Sequence, residues 1–324
     1  MKTIRILLAV LGYLGVSILS VQAQETTGAE KCSIGVYVIS LYNLNFNNNT
    51  FDAAIWFWSN CATEQRQPLK TMDFVNSSNA VGSLDTTFPR QNGYWSARKV
   101  IGTFRHNWDL RNFPFDRHTV EIVTEAGDYD THSLIYEADV LNSTYDPQMD
   151  IPGWRIAHFQ VAAGTKVYRT TFGDPELPQG SSSEWAQLRV MLTIQRMEWI
   201  TFFKVTGGVY AAFALAFFGY FLQGNGVLGT RLGLFVGATF ATVLNFTGDK
   251  RLGTSISLTL IDWIHIITLL YIVAAVSMVV AVSRMIDHGR ESAAQRLHNY
   301  SLVIVTSLFV LVNVALIVGA AKGG

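Results

Sequence analysis

The stretch Gly229–Arg251, GTRLGLFVGATFATVLNFTGDKR, decides how this chain is organised. Helical spacing puts Gly233, Gly237, Phe240, Leu244, Thr247 and Arg251 on one stripe, with Leu232, Leu234, Phe235, Val236, Val243 and Phe246 on its flanks. A helix that is small and weakly polar along one stripe and apolar elsewhere suits a bundle around a narrow water path. Glycines then form the neck, Phe240 and Leu244 form bulky rings, and charge sits at one mouth. The competing reading is a closely packed membrane helix that uses Gly and Ala as small contacts.

Working outward toward the C-terminus, Trp199–Phe221 is apolar except for Lys204 and Thr206. Ile256–Val282 carries only Asp262 and His265 as ionisable groups, and Tyr300–Ala321 carries none. With the organising segment, these runs predict four spanning helices at about 199–221, 231–248, 256–283 and 299–321.

Working outward toward the N-terminus, MKTIRILLAVLGYLGVSILSVQA (1–23) has a basic start, an apolar run and a small-residue end, the pattern of a secretory signal cleaved before Gln24. Loss of Lys2 and Arg5 takes the formal charge of the 324-residue chain from zero to about minus two, leaving no basic patch for nucleic acid. Cys32 and Cys61 then lie in an oxidising compartment. Two alternating runs, KCSIGVYVISLYNLNF and FDAAIWFWSNC, flank the polar turn NNNT, so a hairpin places Cys32 opposite Cys61. A disulfide is expected there, against the alternative of two buried free thiols. Asn48, Asn76 and Asn142 begin glycosylation sequons.

Gln65–Gly93 is turn-rich and reads as long loops with one or two short strands. Strand patterns return at 94–108, 118–126, 153–172 and 184–196, with no long helical period between 32 and 196, which argues for a β-sandwich. The expected domains are an exported β-domain over 24–196 and a membrane region over 197–324. Both ends of the mature chain then lie outside. Gln223–Thr230 and the basic segment with Arg284, Arg290 and Arg296 face the cytoplasm, and Asp249, Lys250 and Arg251 lie at the outer mouth. One chain has too few helices to enclose a hydrated path, so that reading requires identical copies about a common axis.

Four segments in this order carry a resemblance: WDLRNFPFDRHTVEI (Trp108–Ile122), GWRI (153–156), TRLGL (230–234) and SLTLID (257–262). Together they resemble the pentameric ligand-gated ion channels, the family of the Cys-loop receptors and their bacterial relatives, from Cys32 to about Ala320. Phe113-Pro114-Phe115-Asp116 looks like the family's signature loop; His106 and Val120 stand where animal receptors carry the two bridging cysteines, so the pattern is the bacterial one. The resemblance implies an all-β immunoglobulin-like sandwich followed by a four-helix transmembrane bundle in a pentameric channel architecture. It also implies four identical partner subunits, permeant small ions, a small-molecule agonist or protons, contact with membrane lipid, and no cofactor. The bacterial pattern implies an inner-membrane location with the β-domain in the periplasm or outside the cell.

The family further implies an Asp116–Arg196 pair tying the base of the β-domain to the first span. Phe113 and Pro114, the hairpin tip with Asn48 and Asn49, and the 248–255 loop with Thr254 complete that contact. The agonist site implied by the family lies at the subunit interface of the β-domain, and its loops map onto Trp56 and Trp58, Phe74 and Asn76, Tyr94 and Trp95, the turn with Tyr129, and Tyr168 to Phe172. Aromatic faces around a cation would make an amine site; packing is the alternative for each ring. His118, His132 and His158 leave room for proton sensing.

The chain also departs from the family. The first span lacks the common proline and has Lys204 and a Gly207-Gly208 pair. Gly229 and Thr230 supply no carboxylate at the inner mouth, where Arg231 is the only charge, a pattern nearer to anion-selective relatives; bacterial relatives are commonly cation channels and Asp249 offers a carboxylate on the outer side, so the sequence leaves selectivity open. Asp262 and His265 share a helical face and resemble an intramembrane relay or buried pair, but no nucleophile or metal-like cluster accompanies them, so the chain does not read as an enzyme. A non-conducting sensor is the alternative to a channel, with Phe240 beneath Leu244 sealing the axis.

Overall fold

In a computed structural model that describes residues 28–175, 177–178, 180–224, 226–248 and 257–323, a run of strands precedes four helices. The strands are β1 (Glu30–Asn45), β2 (Thr50–Cys61), β3 (Asp73–Phe74), β4 (Ser77–Arg90), β5 (Gly93–Arg105), β6 (Arg117–Asp130), β7 (Leu134–Ala138), β8 (Thr144–Tyr145), β9 (Trp154–Tyr168) and β10 (Ser183–Arg196). The helices are α1 (Glu198–Phe221), α2 (Leu228–Gly248), α3 (Leu260–Asp287) and α4 (Glu291–Gly323). The segment read as a signal, together with Arg251 and Thr254, lies outside the described residues.

One sheet runs β4-β5-β2-β1-β7, with β8 also on β1; the other runs β3-β6-β10-β9. Alternation builds the space between them. In β2, Ile55 and Phe57 are buried while Trp56 and Trp58 face outward; Val120 and Ile122 of β6 and Leu188, Val190 and Leu192 of β10 meet them from the other sheet. Each such buried side chain contributes about 1.5–3 kcal/mol. The β1–β2 register pairs Ser33 with Asn60, and next to it Cys32 and Cys61 form a disulfide.

The expected architecture is corrected on two counts. The first sheet is mixed, because β7 and β8 run parallel to β1, which an antiparallel immunoglobulin-like sandwich does not allow for. Among the described residues only three helices, over Trp199–Phe221, Leu260–Asp287 and Glu291–Gly323, are long and apolar enough to cross a membrane, so the strands do not lead into a four-helix transmembrane bundle. The physical reason is the composition of α2, where Arg231, Asn245, several threonines and glycines dilute the apolar residues. Those three helices mark the chain as consistent with a membrane protein.

Smaller differences have local causes. β4 is a fourteen-residue edge strand that the turn-rich composition hid, since it pairs on one side only and most of its residues are exposed. α3 begins at Leu260 because Thr259 caps it, accepting from the Asp262 amide while Asp262 accepts from the Thr259 amide and hydroxyl. Asp262 is therefore engaged in the cap and not paired with His265. The basic segment after α3 is helical apart from a break at His288–Arg290, where Gly289 takes φ 72°.

The two halves share apolar contacts. Phe202 and Val209 of α1, Leu260, Ile261 and Ile264 of α3 and Ala320 of α4 join the same buried cluster as the β core. A second cluster around Tyr220, Phe235, Tyr271 and Phe309 holds the far half of the helices, with Phe213 stacked on Phe309 at 4.1 Å.

Candidate functional site

Three places gather part of the residues singled out above: the exposed face of α2, the junction below the sheets, and a cavity at the far end of β6, β9 and β10.

On α2, Arg231, Phe235, Ala238 and Thr242 are buried at helical spacing. Gly233 and Gly237 lie on the other side, with nothing among the described residues within 4 Å of where a side chain would begin, and Phe240 and Leu244 are 65% and 68% exposed. Val236, Val243 and Phe246 widen this face. Thr247 belongs to the helix, but its side chain is not among the described ones. Arg231 turns away from the stripe: Nε donates to the Gly219 carbonyl at 2.9 Å and Nη2 to the Tyr220 carbonyl at 3.1 Å, which places a cation on the C-terminal carbonyls of α1. The charge that the sequence places at the inner mouth is thus committed to a neighbouring helix.

At the other end of α2, Asn245 and His265 hydrogen-bond at 2.7 Å, while His265 Nδ1 donates to the Ile261 carbonyl. Gly208 of α1 makes room for this link, since a Cβ there would stand 2.5 Å from Asn245 Nδ2. One member of the unusual glycine pair thus has a packing reason; Gly207 has nothing within 4 Å of its Cβ position among the described residues.

The junction is built around Asp116, 2% exposed. Arg196 grips it with two bonds, Nε to Oδ1 at 2.7 Å and Nη2 to Oδ2 at 3.0 Å, and His118 Nε2 lies 3.0 Å from Oδ2. Burial pushes the Asp116 carboxyl up, but the hydrogen bonds from His118 and Arg196 and the guanidinium charge outweigh it and hold the group below the usual carboxylate range. The guanidinium packs on the rings of Trp154 at 4.1 Å, Phe113 at 4.8 Å and Phe46 at 5.4 Å. Behind this pair stand His118, Trp108 and His106, ring against ring. Burial, aided by His118, pushes the His106 imidazole down to about 4.

The loop that carries Asp116 also reaches the helices. Phe115 packs on Trp199 and Phe202 of α1, and the Arg111 carbonyl accepts from the Leu260 amide of α3 at 2.9 Å. Pro114 follows Phe113 through a cis peptide bond. Asn48 lies at the exposed hairpin tip, and Asn49 accepts from the His106 amide, tying that tip to the end of β5. His106, Trp108 and Trp154 are neighbours of the pair that sequence spacing alone does not place there.

The third place is a cavity of about 520 Å³ whose lining includes Asp128, Tyr129, Asp130, Phe172, Asp174 and Trp185. Phe172 is 66% exposed, with φ 55°, and its ring lies 5.4 Å from that of Tyr168. Burial and the Glu125 carboxylate, which accepts from the hydroxyl, push Tyr168 up to about 12. Trp185 Nε1 is buried without a partner among the described residues. Trp185 reads in the sequence as one more strand aromatic; only the pairing of β10 with the ends of β6 and β9 brings it here.

Of the other aromatic positions, Phe74 packs in the core on Phe57 and Phe104, and Asn76 stitches backbone, donating to Arg105 and Glu121 and accepting from Val123. Trp58 donates to Asp139 at 3.0 Å and covers Gly35, with Trp56 on the same outer face. Trp95 stacks on Phe88 beside Arg90, and Tyr94 offers its carbonyl to Gln67. None of these lines the cavity that holds Tyr129 and Phe172. His132 sits 3.2 Å from Asp130 near its rim, and His158 is exposed on β9.

A scan against models of known protein families finds no match to this chain, and a search of curated proteins finds none either.

Proposed function

We propose that the chain is a subunit of a ligand-gated ion channel. In this reading identical copies, five by the resemblance described above, close around an axis lined by α2. The observation that carries it is the face of α2. The helix whose composition is least suited to lipid turns Gly233, Gly237, Phe240 and Leu244 away from its own chain, while the three apolar helices supply the surface lipid requires. A water-lining helix needs that division of labour. The Asp116–Arg196 pair supports transmission, because it joins the signature loop to the last residue of β10, with only Met197 between it and α1.

The agonist is a small cation bound at the rim of the β-domain. Asp128 and Asp130 supply negative charge there, and Tyr129, Phe172 and Trp185 supply ring faces. The β-domain lies outside the cytoplasm, in the periplasm if the bacterial pattern holds, and the membrane is the inner one. The full-length protein in planar bilayers tests the reading, with its mass measured in detergent. Steps of current that appear with an added amine, from a particle of five copies, are expected. A particle of two or three copies would overturn the ring, and a silent pentamer across a broad ligand and pH screen would favour the non-conducting sensor.

A further inference from the structure

A separate cavity of about 530 Å³ lies at the junction, with Phe46, Phe113, Trp154 and Arg196 of the β-domain on one side and Thr201 and Val205 of α1 on the other. Its volume falls within the range of small-molecule sites. Its walls combine three aromatic rings that already pack on the guanidinium with the two helix residues.

Arg196 has donors to spare. Asp116 takes Nε and Nη2, and Nη1 has no acceptor among the described residues, although a guanidinium carries five N–H groups. Asp116 is itself occupied by Arg196 and His118, so an incoming oxyanion meets a paired carboxylate rather than a bare one. Thr201 and Val205 stand in the first two turns of Trp199–Phe221, a helix apolar enough to cross a membrane. Trp199, Ile200 and Phe203 are exposed beside them, as anchoring residues at a membrane boundary are. With α1 in a membrane, the cavity would sit where the β-domain meets the head-group level, and molecules at that level are amphiphiles.

We propose that this cavity binds a single-chain membrane amphiphile, its oxyanion head, a carboxylate or a phosphate, on the Arg196 guanidinium and its chain along Thr201 and Val205. The inference needs α1 to enter a membrane and does not depend on channel activity.

The test is photolabelling of the purified full-length protein in phosphatidylcholine nanodiscs, with labelled peptides mapped by mass spectrometry. Two probes are used, palmitate and lysophosphatidic acid, each with a diazirine in the chain. Label concentrated in 42–46, 151–154 and 201–205, relative to the exposed Val303 and Leu311 of α4, is expected from at least one probe, and the stronger probe identifies the head. Val205→Trp, which fills the cavity without touching the ion pair, should lower that label about ten-fold, the loss expected for roughly 1.4 kcal/mol of binding. Should Val205→Trp fail to fold, competition on the wild-type protein decides: unlabelled palmitate or lysophosphatidic acid displaces the label, whereas hexadecanol, acetate and inorganic phosphate do not. Label spread equally over the α4 face would overturn the site. Displacement by hexadecanol would overturn the oxyanion head, and displacement by acetate or phosphate alone would overturn the role of the chain.

Discussion

Asp116 shows how a buried charge is kept. A carboxylate with 2% exposure is tolerable because three donors from two side chains converge on it, and removing one partner leaves the other uncompensated. Asp116→Ala and Arg196→Ala are each expected to destabilise the protein by about 3–5 kcal/mol, read as a lower thermal midpoint in detergent. Charge reversal of both together should recover part of the loss, and no recovery with unaltered single variants would show the pair to be idle. Asp116 and the nearby His106 also shape the acid limb of stability, in two windows. The folded Asp116 pKa is lowered, so its contribution is present above the unfolded value of about 3.9 and is lost only as pH falls below that. The folded His106 pKa is lowered to about 4, so the neutral ring contributes fully above the unfolded value of about 6.5 and loses that contribution as pH falls from there toward 4. His106→Leu is expected to flatten thermal stability between pH 6.5 and 4 while leaving the steeper loss below pH 4 in place. An unchanged profile in the first window would assign that limb to other groups.

At the scale of the element, α2 carries opposite demands on its two sides. Its buried side is pinned by Arg231 at one end and by Asn245 on His265 at the other, and its exposed side presents Phe240 and Leu244. If that side borders water, a narrow apolar ring there excludes it, and Phe240→Ser should raise the resting current in planar bilayers by lowering the cost of wetting. Cysteines at 240 and 244 should react with a soluble thiol reagent faster than cysteines at 235 and 238. A resting current equal to wild type, with 235 more reactive than 240, would reject the assigned face. The pin at Asn245 makes a different demand on α1. Gly208→Ala drives a methyl into the Asn245 amide and is expected to cost about 1–3 kcal/mol, whereas Gly207→Ala, with open space around it, should be close to neutral. Equal effects at the two positions would mean that the amide simply moves aside.

At the scale of the molecule, the disulfide between Cys32 and Cys61 closes β1 on β2 across a sequence separation of 29 residues. Chain-entropy arguments put its contribution at about 3–4 kcal/mol, so reduction of the intact protein should lower the midpoint of its thermal transition. An identical midpoint in oxidised and reduced protein would show that the unfolded chain is not being restrained. The hairpin was legible because alternation and a polar turn determine register locally, and register places the cysteines. The apolar runs of α1, α3 and α4 were legible for a related reason: the length and composition needed to cross a lipid core are properties of a continuous segment.

The sequence by itself determined the β-rich first half, the helical second half and the cysteine pairing, because each depends on periodicity along the chain. Only the tertiary structure decided that β7 and β8 join β1 in parallel, that Arg231 faces α1 rather than the stripe, and that Trp185 lies beside Tyr129 and Phe172. It also decided that Phe74 and Asn76 serve the core and backbone instead of that cavity. Those outcomes rest on which strand ends and helix faces meet across long separations. A side chain's surroundings there come from elements far away in the chain, and no local pattern of apolar and polar residues encodes them.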